Sequence, residues 1–496
     1  MNVQRDHVLH SANGRFGDDT TSSVEDVARI LGSAASASRH LVLHFHGGLV
    51  SQRAGRGIAD RLAPRYADAG AYPLFFVWES GLVESLVNNP RDILADRAFR
   101  ALVTKVAEWV VKKIGGSVGL KGAAGTTIDE VRLREEFGQW FDGARARPPV
   151  VDLDRAASAT GKGASLPGLD DLAADIEYGL DADPDFQDAF LALQAADPAT
   201  TATALDDHAL QALLPGRTHA AKGALSWWTV ARWVATVVLA VIERYRAGRD
   251  HGIYCTVVEE VLRSAFLDKV GTVVWNQMKR DTHDGFGDDP RCCGTAVVRE
   301  LGALQAAGRG FDRITLIGHS TGAIYICELL DAAARLAPEL RFDVVLLAPA
   351  VSHARFADAL DAHAGGDHPR VRRLRMFAMS EPVESADAMV PVLYTRSLLY
   401  FVSGLLEGDV RDGRWVGEVD RPLVGMQRYQ DLAETYSGAG FEAVDRVRGE
   451  LAASGRVVWS CADDGDGRRC ASRKHGDFDN DETTLASLEW MLANAW

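Results

Sequence analysis

The chain has 496 residues, 47% of them hydrophobic and 25% charged, with a formal net charge of −15 and a pI of about 5.4. Such a composition supplies a large core, and the length holds two or three average domains or one domain with a long insertion. The acidic balance excludes a general nucleic-acid binder, which needs a basic face toward phosphate, and no basic patch stands out.

The N-terminus has no apolar run after its basic residue, so no signal peptide is expected and the cytoplasm is the default location. Six cysteines in so long a chain do not make a disulfide framework. A bridge between Cys461 and Cys470 across an Asp/Gly-rich loop is conceivable, but reduced thiols are expected.

Taken in chain order, residues 1–38 are polar and small, with a helix at Val24–Leu31. The run from His40 to Leu49 reads as a buried strand ending in glycines. A helix closed near Gly70 follows, and Tyr72–Gly81 is a second buried strand. Strand, helix, strand is the start of a parallel α/β sheet. From Leu82 to Cys293 the signals are mostly helical: an amphipathic stretch at Asp96–Gly116, a loop at Thr160–Gly168 and a long apolar helix at Ala224–Gly248. Alternation resumes with a helix at Thr295–Gly308 and a strand at Phe311–Ile317. A further helix runs to about Ala337. Strands are expected at Arg341–Val351, Val371–Ser380 and Gly455–Cys461, with a helix at Tyr394–Gly408 and another closing the chain. The expected organisation is therefore an α/β core in two parts, 1–81 and 294–496, around a helical cap or lid, 82–293.

Gly318-His319-Ser320-Thr321-Gly322 lies where a strand becomes a helix. A serine on so tight a turn is exposed as a nucleophile only if its neighbours are small, hence Gly318 and Gly322. The helix N-terminus favours the negative charge that develops in acyl transfer. The alternative is that small residues simply let the helix pack close to the sheet. After the first buried strand, His46-Gly47-Gly48-Leu49 could supply a second N–H to an oxyanion hole beside that of Thr321. Gly48 is the preferred donor, Gly47 and Leu49 are its rivals, and His46 is expected to shape the loop.

A serine hydroxyl needs a base. His475 lies on a loop after the late strand and before the last helix, from which it can reach back over the sheet. The side chain of His319 is expected to point away along the turn. The base in turn needs a carboxylate. The segment after Val371–Ser380 offers Glu381, Glu384 and Asp387, with Asp387 preferred and Glu384 next.

Together these residues resemble the α/β-hydrolase superfamily, on its lipase and esterase branch: His46-Gly47-Gly48, the pentapeptide around Ser320, Asp387-Ala-Met-Val-Pro391 and His475, in the family order Ser, Asp, His. The resemblance covers roughly residues 40–81 and 294–496 and leaves out 82–293. It implies an α/β-hydrolase fold with a mostly parallel sheet and a Ser320-His475-Asp387 triad. The implied activity is hydrolysis of carboxylic esters through an acyl-enzyme. The rivals are an amidase or peptidase with the same triad, a phospholipase-type effector acting on membranes, and an idle hydrolase fold used for binding.

The acidic runs near Cys461 and Asp477 lack the spacing of a calcium loop, and no zinc or phosphate-loop pattern occurs. Neither metal nor organic cofactor is expected, and the partner is a small-molecule or lipid ester. Arg232 and the charged tail of the Trp227 helix argue for a helix buried in the cap rather than a span, with a membrane-touching lid as the alternative. The inserted helices are expected to roof the active site, with Trp227–Ile242 the leading candidate for facing the pocket or the core beneath it.

Overall fold

A computed structural model describes residues 2–17, 22–48, 50–79, 93, 96–118, 130–149, 167–180, 183–195, 226–265, 272–411, 414–417 and 419–496. Leu49 and most of the Thr160–Gly168 loop lie outside the described residues.

Seven strands build one parallel sheet: β1 (Val8–Ala12), β2 (His40–Phe45), β3 (Tyr72–Glu79), β4 (Arg313–His319), β5 (Phe342–Leu347), β6 (Val371–Met379) and, after a short antiparallel ribbon of β7 (Gly408–Arg411) and β8 (Arg414–Gly417), β9 (Val457–Ser460). Their order is β1-β3-β2-β4-β5-β6-β9. Both faces of the strands are apolar because helices cover both. Side chains alternate between the faces. Leu41, Leu43 and Phe45 of β2, with Leu316 of β4, pack under the helices Val24–Ala37, Cys293–Ala306 and Gly322–Leu336. Val42, Ile317 and Val345 pack on the other face, with the helices Gln52–Asp68 and Glu482–Ala493.

Strand β1 departs from the sequence expectation, which placed only a helix in residues 1–38. It pairs along the edge of β3, from Val8 opposite Phe75 to Ala12 opposite Glu79. Two polar residues in its middle hide it from an apolar-run reading. Burial of His10 is made tolerable by Ser22, whose hydroxyl accepts the His10 N–H (2.9 Å), and by Arg56, which donates to its ring (3.2 Å). The helix expected at Tyr394–Gly408 begins only at Leu398, capped by the Ser397 hydroxyl, and passes into a π turn at Val402–Leu406. Tyr394 instead pairs with Val390 in a tight loop.

From β2 the chain moves to one side, to β3, and later returns to the other side of β2 as β4. The ends of β2 and β4 therefore flank a topological switch point, where loops diverge and leave a crevice.

Between β3 and the Cys293–Ala306 helix lies the helical insertion. Its central helix, Trp227–Arg246, is capped by Ser226 and buries Val230, Val234, Val237, Val238 and Val241. That face packs on the helices Arg97–Val118, Leu169–Leu180 and Ile253–Ala265, so the helix forms the insertion's own core. Arg232 stays on the exposed side and pairs with Asp170 at 3.1 Å. Among the described residues no helix is long and apolar enough to cross a membrane.

The insertion's core continues into residues 389–444 of the second part of the chain. A buried polar network joins the two. His251 is held between Glu259 (Nδ1 to Oε1, 2.8 Å) and Asp420 (Nε2 to Oδ1, 3.0 Å). Arg244 pairs with Glu259 at 2.6 Å and Glu260 at 2.9 Å. Asp420 also accepts from Tyr429 and Tyr436, each at 2.7 Å, and from Arg249 at 3.1 Å. Burial opposes ionisation of Glu259, but His251 and Arg244 hold its pKa down to about 2. The same contest, won by Arg428 and His251, keeps Asp420 below the usual carboxylate range.

An Asp420→Asn substitution should leave the buried Arg428 without its counter-charge and lower stability by about 3–5 kcal/mol. Tyr429→Phe, which removes one donor to the ionised carboxylate and leaves Arg428 paired, should cost less, about 1.5–3 kcal/mol. Urea denaturation of the two variants checks this ranking.

Candidate active site

The strand-to-helix turn after β4 is built on close approaches. A Cβ at Gly322 would collide with the carbonyl oxygen of Phe45 at the end of β2, and one at Gly318 would lie 2.8 Å from the Gly322 carbonyl group. Only glycine fits either place. Ser320 is thereby forced into the left-handed region, with φ +55°. Such a residue carries about 1–3 kcal/mol of strain. Main-chain bonds hold it there: Ser320 N–H to Leu347 O (2.9 Å) and Ala350 N–H to Ser320 O (3.0 Å).

Ser320 Oγ lies 2.9 Å from His475 Nε2. Both residues are buried, at 5% and 7% exposure. His475 opens a short 3-10 turn, His475–Asp477, between β9 and the last helix. Burial, with a smaller contribution from His319, lowers its pKa to about 3, so the ring is a neutral base at neutral pH. A neutral imidazole carries one proton, and a serine hydroxyl that donates to Nε2 leaves that proton on Nδ1.

Of the three carboxylates offered by the sequence, Asp387 is the one on His475. Its Oδ2 accepts the main-chain N–H of His475 at 2.9 Å. His475 Nδ1 has no hydrogen-bond partner among the described residues. Burial raises the pKa of Asp387, and the His475 N–H works against that rise. Glu384, three residues earlier, is fully buried and accepts from Ser397 Oγ at 2.5 Å. Burial pushes its pKa far up, which favours its neutral form. Glu381 accepts from the Tyr400 hydroxyl.

His319 does not turn away along the turn, as expected from its place beside Ser320. Its Nε2–H donates to the carbonyl of His475 at 2.9 Å. Asp479 stands behind, 3.9 Å from His319 Nδ1. Both main-chain polar groups of His475 are thus gripped by side chains, the N–H by Asp387 and the carbonyl by His319.

The glycines after β2 face the serine. A Cβ at Gly47 would sit 3.4 Å from Ser320 Cβ, and one at Gly48 would lie 2.6 Å from Thr321 Oγ1. Thr321 opens the Gly322–Leu336 helix, and its hydroxyl oxygen is buried without a partner among the described residues. His46 braces this loop. Its Nδ1–H donates to Gly47 O (2.7 Å), its Nε2 accepts the Trp78 N–H (3.3 Å), and its ring stacks on Trp78 with centroids 4.1 Å apart. Burial lowers its pKa to about 4, in keeping with this neutral, doubly bonded ring.

Met278, on the inserted helix Thr272–Asp284, closes over the same loop: a Cβ at Gly48 would meet its Sδ at 2.5 Å. Met278, Trp78 and Asp479 were not singled out from sequence, because each owes its place to a contact remote in the chain. All six cysteines are free, Cys461 exposed and Cys470 buried. Among the described residues no group of three or more His, Cys, Asp or Glu could hold a metal ion. No protein-family model, curated protein or solved structure matches the chain.

The buried histidines make stability depend on pH. Burial lowers His44 and His475 to about 3, and His10, His40, His46 and His353 to about 4. Each takes up a proton on unfolding once the pH is below about 6.5, so the unfolded state binds more protons and stability falls as pH falls from there. For a fully buried ring such as His44 the loss is up to about 1.4 kcal/mol per pH unit. Thermal melts between pH 7 and 4.5 should show a steady fall in Tm, and His44→Phe should flatten it.

Proposed function

We propose that the protein is a serine hydrolase of the α/β-hydrolase type that cleaves carboxylic esters through an acyl-enzyme. The observation that carries this reading is Ser320 Oγ at 2.9 Å from the neutral, buried Nε2 of His475, on a left-handed turn at a helix N-terminus. A hydroxyl and an unprotonated imidazole at this distance are competent for proton transfer as the hydroxyl attacks. Further support comes from the place of the pair, at the switch point of a parallel sheet, and from the glycine turn after β2 that faces it.

In the first half-reaction His475 Nε2 accepts the Ser320 proton while Oγ bonds to the ester carbonyl carbon. The carbonyl electron pair moves to oxygen, where the N–H groups of Thr321 and Gly48 receive the oxyanion. The pair then returns, the bond to the leaving alkoxide breaks, and His475 passes the proton to it. Water repeats the sequence to release the carboxylic acid and restore Ser320. Asp387, bonded to the main-chain N–H of His475, holds that residue in place through both halves. Preference for esters over amides follows the resemblance to lipases and esterases. Met278, a flexible apolar side chain over Gly48, suits an acyl group better than a charged one.

A fluorophosphonate probe should label the wild-type protein and leave Ser320→Ala unlabelled; absence of labelling in the wild type would refute the reading. Hydrolysis of p-nitrophenyl butyrate should fall by on the order of 10⁴–10⁶ in Ser320→Ala and His475→Ala, and by roughly 10²–10⁴ in Asp387→Asn. Glu384→Gln should keep more activity than Asp387→Asn, and the reverse order would move the acid to Glu384. With His475 lowered to about 3, kcat/KM should hold down to about pH 5.

A further inference from the structure

The loop that carries Asp387 is fastened to the helical insertion at its strained tip. Met389 N–H bonds Arg396 O (2.8 Å), and Tyr394 N–H bonds Val390 O (2.8 Å), so residues 389–396 close as a narrow hairpin. At its tip Val392 has φ +70°. A β-branched residue in the left-handed region is a true outlier, and such strain persists only where the surroundings over-determine it. Here the surroundings are two donors on the one carbonyl: Trp140 Nε1–H (3.1 Å) and Tyr254 O–H (2.5 Å) both bond to Val392 O. They come from different inserted helices, Glu130–Phe141 and Ile253–Ala265, and their rings meet edge to face, 5.8 Å between centroids.

Further ties run from the same hairpin to the insertion. The Tyr394 hydroxyl donates to Glu259, Cys255 Sγ lies 3.3 Å from Thr395 Oγ1, and Arg396 Nε donates to His251 O at 3.0 Å. Arg396 also reaches back to the hairpin's base, donating to Ser385 O at 2.6 Å, two residues before Asp387. A tip fixed in the insertion and a closed, cross-bonded hairpin leave the base little freedom. The base ends in the carboxylate that holds His475.

From this geometry we infer that Trp140 and Tyr254 are positioning residues for Asp387: by clamping the Val392 carbonyl, the insertion sets where the acid stands against His475. The inference rests on the proposed hydrolase reading and deepens it, since it gives the insertion a part in the chemistry as well as in covering the site. A misplacement of about 1 Å at an acid or base can cost up to roughly 10²-fold in rate. The clamp acts on the step and not on substrate binding, so its loss lowers kcat and leaves KM in place.

The test is a rate cycle on the full-length protein with p-nitrophenyl butyrate and a fluorophosphonate. Trp140→Phe/Tyr254→Phe keeps an aromatic ring at each place, a smaller one at 140, and removes both donors. The double variant should lose about tenfold or more in kcat and in labelling rate, with KM within about twofold. Added to Asp387→Asn, it should slow the enzyme no further than about twofold, because the acid it positions is already gone. Residues with a merely structural role would give losses that multiply. Multiplying losses, or wild-type rates in the double variant, overturn the inference. Circular dichroism and Tm establish that the double variant is folded. If it is not, Tyr254→Phe alone, which retains the Trp140 bond, carries the same cycle with the same criteria. A wild-type protein inert to both reagents removes the hydrolase reading itself; an active wild type with indifferent clamp variants overturns the clamp alone.

Discussion

The end of β2 and the turn after β4 come so close that no side chain fits between Phe45 O and Gly322. Much else follows from that approach. The chain has to reverse from strand to helix within a few residues, so Ser320 is pressed into a left-handed conformation. The Gly322–Leu336 helix then starts directly over the sheet, with the positive end of its dipole toward the serine. The glycines after β2 are brought to within van der Waals reach of Ser320 and Thr321 by the same approach. Strain at Ser320 is offset by hydrogen bonds to β5 and the segment after it, so the turn is held from the sheet side.

Two kinds of force attach the insertion to this core. The first is apolar: Trp275 and Met278 share a cluster with Leu393, Leu399 and Met426 of the second part of the chain. The second is the buried network around His251, Glu259 and Asp420. Buried charges of this kind do not outdo a well-packed apolar core in stability. Their effect is geometric, because Asp420 accepts from two tyrosines, a histidine and an arginine, and few relative placements of those groups satisfy it. The same network borders the Val392 hairpin through Glu259 and Tyr394, so placement of the insertion and placement of the acid loop are one problem.

Histidine behaves differently at each site, although the residue type is one. His46 is fully bonded and neutral, and holds a loop. His319 holds a neighbouring backbone. His251 lies between two carboxylates. His475 keeps Nδ1 without a partner among the described residues and presents Nε2 to a hydroxyl. Burial is common to all four, and the polar groups around each ring decide its use.

By itself the sequence determined what rests on local pattern. Apolar runs marked β2 to β6, since strands covered on both faces must be apolar throughout. The glycines around Ser320 announced a turn that only glycines permit, and Ser320, Asp387 and His475 were each marked as lying past the end of a strand, β4, β6 and β9. Tertiary structure decided what rests on contacts remote in the chain. Strand β1, with His10 and Ser11 in its middle, becomes a strand only because β3 and Ser22 satisfy it. The sequence prefers Asp387 and leaves Glu384 as its rival; folding buries Glu384 beside Ser397 and brings Asp387 to His475, because one helical turn sends their side chains to different neighbours. The bond from Asp387 to the main chain of His475, the reach of Met278 over Gly48 and the clamp on Val392 have no local signal, for each joins segments that meet only after the sheet and the inserted helices have packed.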